Sequence, residues 1–197
     1  MKAGIFVIDI NNIKDMINSK KIFNYNIMLI GFMGAGKTTV SKHLSKMLGM
    51  NCIEMDEHLK SEQGMSISDI FEKYGEDHFR DIESKAIEDL KKKSGTIVSC
   101  GGGIALRRRN IDAMRSQGKI VLLTATSQTT LDRVKESDER PILNGNMNVE
   151  FIESLMEARK EKYLASADIH VDTNKKSVEE VCEEIVEKLI DLEKLFL

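Results

Sequence analysis

Long apolar runs are missing from this 197-residue chain. Stretches such as Ile120-Val121-Leu122-Leu123 fall far short of the roughly 20 residues a membrane-spanning helix needs, so no membrane role is expected. Cysteine is scarce: Cys52, Cys100 and Cys182 are an odd number without a CxxC pair. That speaks against a disulfide framework or a zinc site and for reduced thiols in the cytoplasm. An excess of one charge is also missing, since 29 basic and 32 acidic residues leave a net charge of −3. Nucleic acid is therefore not expected as a partner. The one compact basic run, Arg107-Arg108-Arg109, reads as a solvated helix start. At the N-terminus Asp9 interrupts the apolar residues and no small-residue cleavage site follows, unlike a secretory signal. Proline occurs once, at Pro141, and no internal repeat is visible.

What remains is an ordinary globular balance of 41% hydrophobic and 31% charged residues, at a length that suits one domain. Short β-type runs at 27–30, 51–54, 96–100, 119–123 and 168–171 alternate with helical stretches. Ser66 to Asp69 and Ser177 to Glu180 have the form of capping boxes. Phe79, Ile82, Ala86 and Leu90 recur at helical spacing, as do Val181, Ile185 and Leu189. Strand–helix alternation predicts an α/β fold with a parallel sheet covered by helices on both faces. Ligands on such sheets bind at the carboxyl ends of the strands. Residues 1–25 stand apart as an N-terminal extension before a domain spanning 26–197. Residues 135–148, polar and rich in asparagine, suit a mobile lid.

One motif is specific by itself. Gly31-Phe32-Met33-Gly34-Ala35-Gly36-Lys37-Thr38 fits G-x-x-x-x-G-K-[ST] between an apolar strand and a helix. Glycines let backbone N–H groups curl around phosphate oxygens, and the helix start adds its positive end. Lys37 provides a charge for the terminal phosphates and Thr38 a hydroxyl for Mg²⁺. The motif predicts a nucleotide but no particular reaction.

Other groups carry less alone. Glu54 and Asp56 lie at a strand end. One suits orienting water on Mg²⁺ and the other accepting a hydroxyl proton, although solvent-facing acids would look the same. Arg80 and Glu83 sit one helical turn apart, which an ordinary surface ion pair would also explain. Gly101-Gly102-Gly103 permits close backbone approach to a ligand, or simply a corner. Arg140 falls in the lid segment, and Arg159 precedes Tyr163 by four residues.

Taken in order, these motifs resemble the shikimate kinase family over roughly residues 26–190. The resemblance rests on residues 31–38, Glu54-Met55-Asp56, Ser68-Asp69-Ile70-Phe71, Gly75-Glu76 with Phe79-Arg80 and Glu83, and Gly101-Gly102-Gly103. Arg140-Pro141-Ile142-Leu143, Arg159 with Tyr163, and Val171-Asp172-Thr173-Asn174 complete it. It implies a three-layer P-loop fold with a five-stranded parallel sheet and a lid. The implied reaction is transfer of the ATP γ-phosphate to the 3-hydroxyl of shikimate, in chorismate and aromatic amino acid biosynthesis, by a cytoplasmic monomer using ATP and Mg²⁺.

By the same resemblance Lys37, Asp56 and Arg140 are catalytic. Asp56, Arg80, Gly101, Gly102, Gly103 and Arg159 bind shikimate, the two arginines through its carboxylate. Gly34, Ala35, Gly36, Lys37, Thr38, Thr39, Arg133, Arg140, Asn174 and Lys175 bind the nucleotide. Thr38, and Glu54 through water, serve the metal. The chain departs from the family at Glu54, where aspartate is usual, at Lys175, where arginine is common, and in residues 1–25, which have no counterpart. Two rivals remain: another P-loop kinase, for gluconate or a nucleoside monophosphate, and a non-catalytic nucleotide-sensing module. Arg80, Arg159 and the three glycines disfavour the first. Joint retention of Lys37, Thr38, Asp56, Arg80, Arg140 and Arg159 disfavours the second.

Overall fold

The computed structural model describes residues 23–135 and 148–194. The extension up to residue 22, and residues 136–147 of the expected lid with Arg140, lie outside the described residues. Five strands form one parallel sheet: β1 (Asn26–Ile30), β2 (Asn51–Glu54), β3 (Thr96–Ser99), β4 (Gly118–Thr124) and β5 (Ile169–Asp172), in the order β2-β3-β1-β4-β5. Each sequence-predicted strand falls within one or two residues of an observed one.

Alternation along the strands divides the core. Ile27, Leu29, Val121 and Leu123 face helices α1 (Lys37–Leu48) and α7 (Val178–Lys194). Met28, Ile30, Ile120 and Leu122 face α2 (Met55–Gln63), α3 (Ile67–Asp89) and α4 (Arg108–Arg115). Successive side chains point to opposite faces, and helices cover both, so the strands read as continuous apolar runs. A smaller cluster joins Phe32 and Met33 to Val134 of α5 (Ser127–Val134) and Ile152 of α6 (Val149–Ser166).

Both capping boxes form. Ser66 Oγ accepts from the Asp69 N–H at 3.1 Å while Asp69 accepts from the Ser66 N–H at 3.2 Å. Ser177 and Glu180 do the same at 3.1 and 2.7 Å. One feature escaped the periodicity: α3 is broken at Gly75, whose φ of 82° and ψ of 169° are not helical.

The topology places the site. From β1 the chain leaves toward β2 on one side of the sheet, and from β3 it crosses to β4 on the other. Loops leaving adjacent strands in opposite directions open a crevice at the strands' carboxyl ends. The loops flanking it are residues 31–36 after β1 and the turn of Gly101, Gly102 and Gly103 after β3.

Candidate active site

The loop after β1 is a phosphate cradle. Gly31 has φ 145°, and a Cβ there would fall on the Leu123 carbonyl of the neighbouring strand. Glycine is required by both constraints. Gly36, with φ 93°, caps α1 without a side chain, so the first N–H groups of that helix stay open to an anion. Lys37 Nζ lies across the loop, donating to the carbonyls of Gly31 at 2.9 Å and Phe32 at 3.0 Å.

Thr38 Oγ1 donates to Glu54 Oε2 at 2.9 Å, and Ser41 donates to the other oxygen of the same carboxylate. A hydroxyl and a carboxylate held together beside Lys37 are the hard oxygen donors Mg²⁺ prefers. Among the described residues no three acidic, histidine or cysteine side chains form a metal cluster of their own. Such a donor set fits an ion that shares its ligands with phosphate oxygens.

Glu54 closes β2 and Met55 opens α2. Asp56 therefore stands in the first turn of a helix, not beside Glu54 along a strand as the sequence suggested. Both nevertheless line one cleft of about 690 Å³, with Gly34, Lys37, Thr38, Thr39, Gly102 and Arg133.

Behind Asp56 lies an ionic cluster whose Arg80–Glu83 pair is buried and whose Glu76 is exposed. Arg80 Nη1 donates to Glu83 Oε2 at 2.9 Å, while Nε and Nη2 donate to Glu76 Oε1 at 3.2 and 3.0 Å. The expected i,i+3 pair is real, but its side chains are only 8% and 1% exposed, so it is no ordinary surface bridge. Burial pushes the Glu83 carboxyl up, Arg80 pulls it back, and the Asp56 charge adds to the rise. Glu83 Oε1 has no hydrogen-bond partner.

The glycine turn threads between these groups. A Cβ on Gly101 would stand 2.6 Å from Glu83 Oε1 and 3.0 Å from Asp56 Oδ1, and one on Gly103 would overlap the Arg80 guanidinium. The Tyr163 hydroxyl donates to the Gly102 carbonyl. Arg159, one turn before Tyr163, lies over the Phe32 ring at 5.6 Å. The turn thus meets Arg80 at Gly103 and Tyr163 at Gly102.

At the far end of the cleft Arg133 donates to the Gly34 carbonyl at 3.0 Å, and to Thr173 Oγ1 and O at 3.1 and 3.2 Å. It joins the phosphate cradle to the segment after β5.

A family model described as shikimate kinase matches residues 33–190. The chain belongs to the shikimate kinase family. A shikimate kinase of Dehalococcoides mccartyi is 42% identical over 168 residues, 85% of this chain and 95% of that protein. One from Geobacter sulfurreducens is 44% identical over 81% of this chain and 88% of its own length. The solved shikimate kinase of Acinetobacter baumannii, in complex with shikimate, superposes with a TM-score of 0.83 at 27% identity, covering 89% of this chain and 97% of that one.

Of the residues named by that resemblance, Gly34 to Thr39, Glu54, Asp56, Gly102 and Arg133 line the cleft. Gly101 stands against Asp56 and Gly103 against Arg80, and Arg159 lies over Phe32 of the cradle without lining the cleft. Asn174 and Lys175 differ. The Asn174 side chain accepts from the Thr126 N–H at 3.0 Å and donates to Asp172 at 2.5 Å. The cleft wall there consists of Thr173, Lys176, Ser177 and Val178. Lys175 takes a left-handed turn with φ 53°, and the residues after it form that wall. Ser66, Ile67 and Ser68 line the cleft too. Of these lining residues, Ser66 and Ser177 left a capping signal and Ser68 and Thr173 fell within the motifs of the resemblance, while Lys176 left none.

Proposed function

We infer that this protein transfers the γ-phosphoryl group of ATP to the 3-hydroxyl of shikimate, giving 3-phosphoshikimate and ADP for aromatic amino acid biosynthesis. One observation carries the reading. At the end of the phosphate cradle, a single glycine turn touches the Asp56 carboxylate and the buried Arg80, and it is tied through the Tyr163 hydroxyl to the helix that carries Arg159. A carboxylate-bearing alcohol could be held there by its acid group and presented to a phosphate by its hydroxyl.

The division of labour follows. Backbone N–H groups from Gly34 to Thr39 bind the phosphates, and Lys37 exchanges its two carbonyl partners for phosphate oxygens. Arg80 and Arg159 grip the acceptor's carboxylate, while Gly101, Gly102 and Gly103 let it approach. Asp56 accepts or orients the attacking hydroxyl proton. Mg²⁺, held by Thr38 and through water by Glu54, would supply charge neutralisation on the phosphate oxygens. Arg133 flanks the nucleotide base, beside the wall of Thr173, Lys176, Ser177 and Val178. Arg140, from its place in the sequence pattern, adds charge at the transferring group. Phosphoryl transfer asks mainly for this positioning and neutralisation. Among the described residues no helix can cross a membrane and all three cysteines are free thiols, in keeping with a cytoplasmic enzyme.

A coupled ADP-release assay with shikimate, gluconate and nucleoside monophosphates side by side tests the reading. Turnover should require shikimate, and Asp56→Asn should lower it by a factor on the order of 10² with ATP binding retained. Turnover driven by gluconate or a nucleotide instead would overturn the substrate assignment.

A further inference from the structure

We propose that Tyr163 is a positioning residue for the acceptor's carboxylate, its hydroxyl fixing the peptide between Gly102 and Gly103 and bracing Arg159. The proposal rests on the shikimate reading above and adds to it a residue that does not itself react.

The argument begins with the turn. Three consecutive glycines have more backbone freedom than any other tripeptide, and this turn needs that freedom for close approach. The same freedom lets its peptides rotate, so something outside the turn must hold them. Tyr163 O–H donates to the Gly102 carbonyl. In a trans peptide the C=O and the following N–H point in opposite directions. Pinning the Gly102 oxygen toward α6 therefore turns the Gly103 N–H away from Tyr163. Gly103 is also the residue against which the Arg80 guanidinium lies, so one hydroxyl sets the backbone beside one clamp arginine.

The other clamp arginine is one helical turn away on the same helix. Arg159 lies over Phe32, and its charge and hydrogen bonding draw the Tyr163 phenol down against the larger effect of burial, which raises it. The net rise keeps the phenol protonated, so its proton remains available to Gly102. A phenol oxygen that donates once can still accept, which leaves it free to take a guanidinium N–H. Tyr163 is 5% exposed and its ring packs in the core that contains Met28 and Ile104. The ring therefore gives the hydroxyl a rigid mount. Phenylalanine would keep the packing and lose only the oxygen.

Tyr163→Phe in the full chain is the test, with steady-state kinetics in both substrates and a thermal melt. Loss of one such hydrogen bond predicts a KM for shikimate raised roughly tenfold, with the KM for ATP and the kcat at saturating shikimate within about threefold. A shikimate KM within twofold of the parent overturns the proposal. So does an equal rise in both KM values with a lowered melting temperature, which would mark a packing role. A cycle with Arg159→Lys adds a second reading. Coupling through the hydroxyl makes the double variant's rise smaller than the product of the single rises, and a simple product would remove Arg159 from the proposal. Failure of the shikimate reading looks different: the parent chain would show no shikimate-dependent turnover, and both inferences would fall together.

Discussion

Arg80 meets two carboxylates before any substrate arrives, and this sets what a substitution there must do. Glu83 holds Nη1 in a nearly closed environment, while the exposed Glu76 takes the edge formed by Nε and Nη2. An incoming carboxylate has to compete with Glu76 for that edge, and only a two-pronged partner competes well. Lysine keeps the charge and loses the fork. Arg80→Lys and Arg159→Lys should therefore both raise the KM for shikimate by tenfold or more while leaving that for ATP within about threefold. They should differ in stability. Arg80→Lys leaves a buried Glu83 with a poorer partner and should lower the melting temperature, whereas Arg159, half-buried over Phe32, should tolerate the change. Calorimetric titration with shikimate and a melt of each variant check both halves; normal shikimate binding in both would remove the clamp. At this scale the sequence showed which residues matter but not their burial. An i,i+3 Arg–Glu pair looks the same in a sequence whether water surrounds it or a glycine turn covers it.

Among the elements, the strands were legible because a parallel sheet covered on both faces needs uninterrupted apolar residues, and the capping boxes because they are written in four consecutive positions. Helix α2 was not: with nine residues and only Met55 and Leu59 buried, it offers a single i,i+4 apolar pair. The break at Gly75 was hidden because apolar periodicity resumes with Phe79 on the same core. That break leaves the segment carrying Arg80 and Glu83 in need of other ties, and Asp81 provides one. Its carboxylate accepts from Arg107 Nη1 and Arg109 Nη2, each at 2.6 Å, joining α3 to the start of α4 just beyond the glycine turn. The Arg107 and then the Arg109 hydrogen bonds hold its carboxyl below the ordinary range. A carboxyl with a depressed folded-state pKa adds stability above its unfolded value, near 3.9, and loses it as pH falls through the folded one. Asp81→Asn should thus be less stable than the parent at pH 7, with the gap narrowing as pH drops below about 4 and narrowing in 1 M salt, because the pair is exposed. Urea midpoints across pH and salt test this. A gap unchanged in high salt would mean the tie is not ionic.

Among the described residues, the two larger cores lie on opposite faces of the sheet, and the crevice sits at one end of its strands. Leu189 is fully buried in the core beneath α7, two helical turns and more beyond Val181 at the cleft wall. Its loss opens a cavity on the face opposite Arg80, Glu83 and Asp56, whose helices pack on the other core. Leu189→Ala should cost about 2–5 kcal/mol, yet below its melting transition it should keep both KM values within about twofold, because Leu189 does not line the cleft and stands more than two helical turns from Val181, which does. Substrates bind only the folded form, so they should restore stability to the variant by mass action. Either ligand at a hundred times its Kd contributes about 2.7 kcal/mol, and the two together contribute more if their sites are separate. The measurement is a urea titration of parent and variant with no ligand, with ATP, with shikimate, and with an unreactive ATP analogue plus shikimate, beside kinetics at 25 °C. Equal ligand-induced gains in parent and variant are expected. A variant that folds but gains less from ATP than from shikimate would show that α7 transmits packing changes to the nucleotide wall at Lys176 and Val178, and the two cores could then no longer be treated as independent.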